Sequence, residues 1–454
     1  MWKKPQFAIV FVIALSIMPT FAAIRGFAVD VNVFGAPEES GGGVVEVVWS
    51  VNRGALEFRR SGEVWIDTLV FELTFLRGND PVDKITLERI AEIPKGEMVT
   101  RDYLLFEKLD TKLPHGRYGL EITALDRGDM DSASISRDFD VKPRSDGITI
   151  SDIALLSNVS LDTVGGQFTT GNLKMLPNPD RAFGLSFPTM FIYAEVYPPE
   201  GEDTLVVSFS ILDSTGDPVK QFSLGKKGLT SGTLPILNGF NVIGYPDGKY
   251  KIRMAVASDK SGLSATAEKS FTVNKARFES ETARELPDSI YLEQEYKYVT
   301  YFISTGDKKF YEKLTTEGKS EFLKRWWEDR DTDIRTPENE YRNEIIGRWN
   351  YANIAFDESG GGKENGWRTD RGRIFIKFGP PDNIEISPIT MGSNPWEEWD
   401  YFSLEGGVYF IFADEMGIGR FRLVHSTTDG EIFNPSWMNQ LNNPHMPSTD
   451  TGVE

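Results

Sequence analysis

The sequence predicts a multidomain chain: two all-β, immunoglobulin-like sandwiches, followed by an α+β domain whose helices pack on a small antiparallel sheet. Three observations predict this. Residues 27–273 are dense in β-branched and aromatic runs of strand length, broken by Gly, Asn and Asp clusters. One stretch of that region recurs further along at a constant offset. Beyond Ala276 the apolar spacing lengthens from two residues to three and four. For 454 residues, about two to four domains are expected. The boundaries fall at 1–22, 27–143, 147–275, 278–432 and 433–454.

The first segment reads as an export signal. Lys3 and Lys4 precede an apolar run from Phe7 to Met18, and Thr20-Phe21-Ala22 supplies small residues for cleavage ahead of Ala23. The expected location is the periplasm, the cell surface or the exterior. No later segment is apolar enough for a transmembrane helix once the signal is removed. The chain has no Cys, which excludes disulfides, lipid attachment through Cys, and thiolate metal sites or nucleophiles. A net charge of −19 and a pI near 4.8 argue against nucleic acid as a partner, because phosphate binding needs a basic footprint.

In the first sandwich, Val44–Trp49 and Leu69–Leu76 are strand runs, separated by turn residues at Gly41–Gly43 and Gly78-Asn79-Asp80. The segment from Leu113 to Val141 then matches Tyr245 to Val273 without a gap, which predicts a duplicated domain. Both copies carry Pro-x-Gly-x-Tyr-x-apolar. That pattern looks like the tyrosine corner of immunoglobulin-like sandwiches, with Leu120 and Ile252 at the core position two residues beyond the Tyr. In the second sandwich, Met190–Tyr197 is a strand ended by Pro198-Pro199, and Asp213–Pro218 is a hairpin loop.

Helical spacing covers 289–304, 307–314, 316–329 and 337–357. Thr336 is the expected N-cap of the last of these, with Pro337 at its first position. Tyr341, Ile345, Trp349, Ala352 and Phe356 form its apolar stripe. A Gly-rich stretch, 359–362, leads into Asn365–Asp382. There Ile374, Ile376 and Phe378 alternate with Arg373, Phe375 and Lys377, which predicts a strand with one apolar and one basic face. Further strands are expected at 399–402, 408–413 and 419–425, with Glu415-Met416-Gly417 as a hairpin turn. If these strands share a core, Arg420 and Arg422 join Arg373 and Lys377 on the basic face, which would suit an anionic partner. Residues 433–454, rich in Asn and Pro, read as a mobile tail.

Gly366-Trp367-Arg368-Thr369-Asp370 resembles the signature of the GWxTD-domain family of bacterial exported proteins. The resemblance covers about 291–425 and includes Trp327–Asp331, Glu338–Tyr341 and Asn350–Asn353. Where the family commonly has Pro after the Arg-Asp pair, this chain has Thr332. Preceding sandwich domains also occur in that family. The resemblance implies no assigned activity.

The chemistry of catalysis is sparse. His115, His425 and His445 are scattered. No His-Glu-x-x-His, Gly-x-Ser-x-Gly or phosphate-loop pattern occurs. Asp329, Asp331, Asp333 and Glu340 have the spacing of a calcium loop, but Ile334 stands where the sharp turn needs Gly. No catalytic residue, metal site or cofactor is therefore assigned. The candidate binding or motif residues are Gly366, Trp367, Thr369, Asp370, Arg371, Gly372, Arg373, Lys377, Asp382, Arg420 and Arg422. The expected function is an exported cell-envelope binding or scaffold protein whose C-terminal domain recognises a protein or glycan. The alternative is a hydrolase of envelope polymers that uses Asp370 and Asp382 as paired carboxylates.

Overall fold

Alternating β-branched and aromatic residues make this a strand protein. Among the described residues, strand accounts for 50% and helix for 18%, so several sheets carry a few helices. The computed structural model describes residues 24, 26–35, 41–62, 64–93, 104–162, 165–199, 204–228, 232–275, 288–333, 335–336, 339–358, 366–387 and 394–441. The predicted export signal, the Gly-rich stretch at 359–362, Ile334, Pro337 and the end of the predicted tail lie outside the described residues.

The first strands are β1 (Ala28–Gly35), β2 (Gly42–Asn52), β3 (Arg59–Ser61), β4 (Val64–Arg77), β5 (Asp80–Ile93), β6 (Leu104–Pro114), β7 (Gly116–Asp126) and β8 (Ser132–Val141). They form a three-stranded sheet, β1-β2-β6, and a second sheet in which β5 and β3 pair with β4, followed by β7 and β8. The chain divides into two units. One comprises Met1–Ala28, Ser50–Leu105 and Tyr118–Phe139; the other comprises Val29–Trp49, Phe106–Arg117 and Asp140–Glu454.

In the first unit, period-two burial puts Leu69, Phe71, Leu73 and Phe75 of β4 inside with Leu120, Ile122 and Ala124 of β7. Phe75 lies directly opposite Leu120 in the ladder. Tyr118 stacks on Phe139 at 5.7 Å.

The second unit continues with β9 (Thr149–Ile150), β10 (Ala154–Leu161), β11 (Thr169–Thr170), β12 (Leu173–Pro177), β13 (Ala182–Phe183), β14 (Thr189–Tyr197), β15 (Thr204–Leu212), β16 (Pro218–Gly228), β17 (Leu234–Asn241), β18 (Gly248–Ala257) and β19 (Ser264–Val273). Next come α1 (Asp288–Val299), α2 (Thr305–Tyr311), α3 (Thr316–Glu328), α4 (Glu340–Ala355) and α5 (Asp370–Phe378). The chain closes with β20 (Asn383–Ser387), β21 (Trp396–Tyr401), β22 (Val408–Ala413), β23 (Arg422–Ser426) and α6 (Trp437–Leu441).

A ten-stranded sheet runs β11-β12-β10-β14-β17-β20-β21-β22-β23, with β9 on β14, and a five-stranded sheet runs β13-β19-β18-β15-β16. Between the two sheets, Ile192 and Val196 of β14 share a core with Phe209 and Ile211 of β15 and with Ile252 and Met254 of β18. On the other face of β14, Phe191 joins a second core with Trp349 and Ala352 of α4, Ile374–Ile376 of α5, and Trp399, Phe410 and Phe412. A third cluster ties α1, α3 and α4 through Leu292, Val299, Leu323, Trp326, Trp327 and Ile345. Emptying any one of the fully buried aromatic sites costs about 3–5 kcal/mol.

Three expectations are corrected. Residues 373–378 are helix, not strand. Thr369 caps the helix by accepting from the Gly372 amide, and Gly379 ends it with φ +83°. Ile374, Phe375 and Ile376 are consecutive and all buried, which a strand with one buried face does not allow. Second, the N-cap of α4 is Asn339, whose side chain accepts from the Arg342 amide; the Thr336 hydroxyl instead bonds Glu340. Third, the segment read as a tail begins inside the fold. Trp437 and Leu441 of α6 are buried against Ile411, Ala413 and Val424, and the Asn434 amide donates to His425 Nδ1 at 2.9 Å.

Candidate functional site

The Gly366–Asp382 stretch is built by close backbone approach. Gly366–Arg368 forms a single 3-10 turn against α4. A Cβ on Gly366 would lie 2.1 Å from the Ala352 carbonyl oxygen, and one on Gly372 2.0 Å from the Gly366 oxygen. No larger residue fits either position. The Trp367 amide donates to Asn353 Oδ1 at 3.1 Å, and Tyr301 Oη donates to the Trp367 carbonyl at 2.8 Å. The Trp367 ring is half-buried beside Tyr301 and Trp349, with centroids 6.0 and 6.2 Å away. The Thr369 hydroxyl donates to the Gly366 oxygen at 2.8 Å and accepts from Gly372 at 3.0 Å.

The charged residues follow the same pattern. Asp370 Oδ2 accepts from the Leu423 amide at 3.0 Å, fixing the start of α5 to β23. Arg371 is buried, with Nη1 2.8 Å from Glu397 and Nη2 3.2 Å from Glu358. Its guanidinium lies 4.1 Å from the Phe421 ring centroid. Glu397 also accepts from Trp399 Nε1 at 3.0 Å, and Glu358 from the Phe421 amide at 3.0 Å. Burial raises the Glu358 pKa above the usual carboxylate value, although Arg371 pulls it down. Arg373 grips Glu431 through two bonds of 2.8 Å, and Lys377 reaches the same carboxylate at 3.1 Å. Burial opposes the Glu431 charge, but the two cations outweigh it and hold its pKa below the usual value. Asp382 bonds Lys220 at 2.7 Å and the Phe402 amide at 2.8 Å.

The common basic sheet face expected for Arg373, Lys377, Arg420 and Arg422 does not form. Arg373 and Lys377 sit one turn apart on a helix and share Glu431, while Arg420 and Arg422 are exposed on either side of buried Phe421. Asp370 is the first residue of α5, which is about 13.5 Å long, and Asp382 lies four residues beyond its last. In the stretch with calcium-loop spacing, Asp333 holds Arg335 at 2.7 Å and Glu340 holds Thr336.

Sequence reasoning names Glu397 and Glu398 as acids that partly neutralise the basic residues, but misses Glu358 and Glu431. Glu358, Glu397 and Glu431 lie 13, 26 and 58 residues from the arginines they hold. A polar strip on the far face of the sheet was also missed. Glu385 of β20 faces Glu398 of β21, and Asn383 faces Asp400. Burial, then the charges of Asp400 and Glu385, push the Glu398 carboxyl up to about 7, against the pull of Lys227. The alternation Glu398-Trp399-Asp400-Tyr401 was the available signal.

No family model matches the chain, and no curated protein matches it. Among solved structures, red sea bream transglutaminase aligns at 11% identity over 55% of this chain and 31% of its own, with a TM-score of 0.17. The chain thus spans under a third of that protein. A DUF3823 family protein from Bacteroides ovatus aligns at 12% identity over 55% of this chain and 99% of its own, TM-score 0.19. A calcium-binding mutant of Bacteroides uniformis beta-glucuronidase 2 aligns at 12% identity over 53% and 27%, TM-score 0.17. Among the described residues, no helix is long and apolar enough to cross a membrane.

Proposed function

We propose that this chain is an exported cell-envelope binding or scaffold protein of the GWxTD-domain type, with two immunoglobulin-like sandwiches as spacers and a C-terminal domain that recognises an envelope protein or glycan. One observation carries the reading. Asp370, Arg371, Arg373, Lys377 and Asp382 all engage internal partners, so this charged stretch acts as an internal clamp. Bidentate Arg–carboxylate pairs are suited to that task. The identical strand order of β1-β2-β6 and β10-β14-β17 supports the two-sandwich layout. The hydrolase alternative is disfavoured because glycoside chemistry needs carboxyls about 5–10 Å apart in one cleft, whereas Asp370 starts α5 and is held by the Leu423 amide, and Asp382 lies beyond the end of α5 and is held by Lys220 and the Phe402 amide.

The test is incubation of the full chain with isolated envelope polysaccharide, peptidoglycan and envelope protein extract. Retention of one of these on the immobilised chain, without release of reducing ends or peptides, is the expected result. Release of product that disappears in Asp382→Asn would establish the hydrolase instead.

A further inference from the structure

A cavity of about 230 Å³ lies within the second unit, between β1, β2 and β6 on one side and β10, β12 and β14 on the other. Phe34, Leu156, Met175 and Tyr193 give it apolar walls, and Glu46, Lys108, Asp110 and Glu195 give it charge. Three carboxylates against one ammonium leave two negative charges in a concave space.

The hydrogen bonding is equally unbalanced. Lys108 Nζ is turned onto Glu46 at 2.8 Å and Asp110 at 3.3 Å. Burial alone would lower its pKa; Glu46 and Asp110 overcome this and raise it, so the ammonium stays charged and committed. Glu46 takes one further bond, from Asn32 Nδ2 at 3.2 Å. Glu195 accepts from Tyr193 Oη at 2.8 Å and from Tyr197 Oη. A carboxylate offers about four acceptor positions, so each of the three keeps lone pairs unused while the cavity has few donors. Its occupant must therefore bring donors and positive charge, and must have an apolar part to meet the aromatic wall. Phe34 and Tyr193, with centroids 5.8 Å apart, also present ring systems that attract cations.

We infer that this cavity is a binding site for a small organic cation, an ammonium or guanidinium on a short apolar stem, carried either by a free amine or by a basic peptide side chain. The inference is independent of the role proposed for the C-terminal domain. A bare metal ion makes no use of the apolar walls, and a neutral sugar leaves the net charge unmet.

Isothermal titration calorimetry on the full chain tests it with three probes: n-butylammonium, Nα-acetyl-lysine methylamide and 1-butanol. The n-butylammonium ion should bind at least about tenfold more tightly than the isosteric alcohol, and its affinity should fall with added salt. Asp110 is half exposed, at 52%, so Asp110→Asn should fold normally and weaken the cation by about threefold. Glu195→Gln should act in the same direction. Binding of the lysine analogue as well assigns a peptide side chain as the source; its exclusion assigns a free amine. Equal affinity for butanol and n-butylammonium, or no saturable binding of either cation, overturns the inference.

Discussion

The hairpins β7–β8 and β18–β19 are the same object built twice, and their differences separate what the backbone enforces from what side chains supply. Each strand begins and ends 132 residues after its counterpart, apart from one residue at the end of the first. The neighbours repeat as well: β5-β4-β7-β8 in one sheet, β16-β15-β18-β19 in the other. Tyr118 stacks on Phe139, and Tyr250 on Phe271, both at 5.7 Å. The turns are bonded alike. The Asp126 amide donates to the Asp131 oxygen and Met130 donates back to Asp126, as Ser258 does to Leu263 and Gly262 to Ser258. Asp126 Oδ1 accepts from Gly128, and Ser258 Oγ from Lys260. The geometry demands an oxygen at that position and is indifferent to whether it belongs to a carboxylate or a hydroxyl. It also demands a left-handed residue, which Gly262 provides at φ +69° and Met130 at φ +68°.

The comparison is sharpened most by emptying both cores. Leu120→Ala and Ile252→Ala each delete a side chain with no exposure, opposite Phe75 and Ile211 respectively. Each should cost about 2–5 kcal/mol by chemical denaturation. A cost under 1 kcal/mol at either site alone would break the equivalence.

The carboxylate that distinguishes the first turn should leave a pH signature. Burial, then the charge of Asp126, pushes Asp67 from 3.8 up to about 7. A folded pKa above the unfolded one means that the contribution to stability is complete below pH 3.8 and is lost as pH rises through about 7. Asp67→Asn removes that loss. It should stabilise the protein at pH 8 by about 1–2 kcal/mol and change little at pH 4. Parallel stability curves for wild type and variant would contradict the shift.

Exchange at the left-handed position is next in size. Met130→Gly should stabilise by about 0.5–1 kcal/mol, and Gly262→Met should destabilise by about 1–2 kcal/mol, both read as shifts in Tm. Shifts of the same sign in the two variants would show that the turns differ in backbone. The smallest effect belongs to the phenol. Tyr250 Oη donates to the Pro246 oxygen at 2.9 Å, so Tyr250→Phe should lose about 0.5–1.5 kcal/mol in urea unfolding.

The hairpins were legible because duplication reveals itself without knowledge of the fold: Pro114, Gly116 and Tyr118 recur at Pro246, Gly248 and Tyr250. The helix α5 was not legible from periodicity. Over six residues, Arg373 to Phe378 satisfy a two-residue alternation, although the true burial groups Ile374, Phe375 and Ile376. The better signals stood at its ends, Thr369 before the first turn and Gly379-Pro380-Pro381 after the last. The clamp around Arg371 was hidden for another reason. Glu358 and Glu397 come from opposite sides of it in sequence, and only tertiary folding brings them together. Trp367, a candidate binding or motif residue, is half-buried, and its backbone is tied at both the amide and the carbonyl.

The ladder between β17 and β20 joins Asn238 to Glu385 and Phe240 to Asn383. It has a consequence for the order in which the chain acquires structure. Synthesis proceeds from the N-terminus, so β17 exists long before its partner does. Until residue 387 arrives, the outer side of β17 presents bare amides and carbonyls, the template on which other chains pair. Closing so large a loop carries an entropic penalty and slows the step. The interval between the two strands is therefore one in which β17 offers an unpaired edge to other chains.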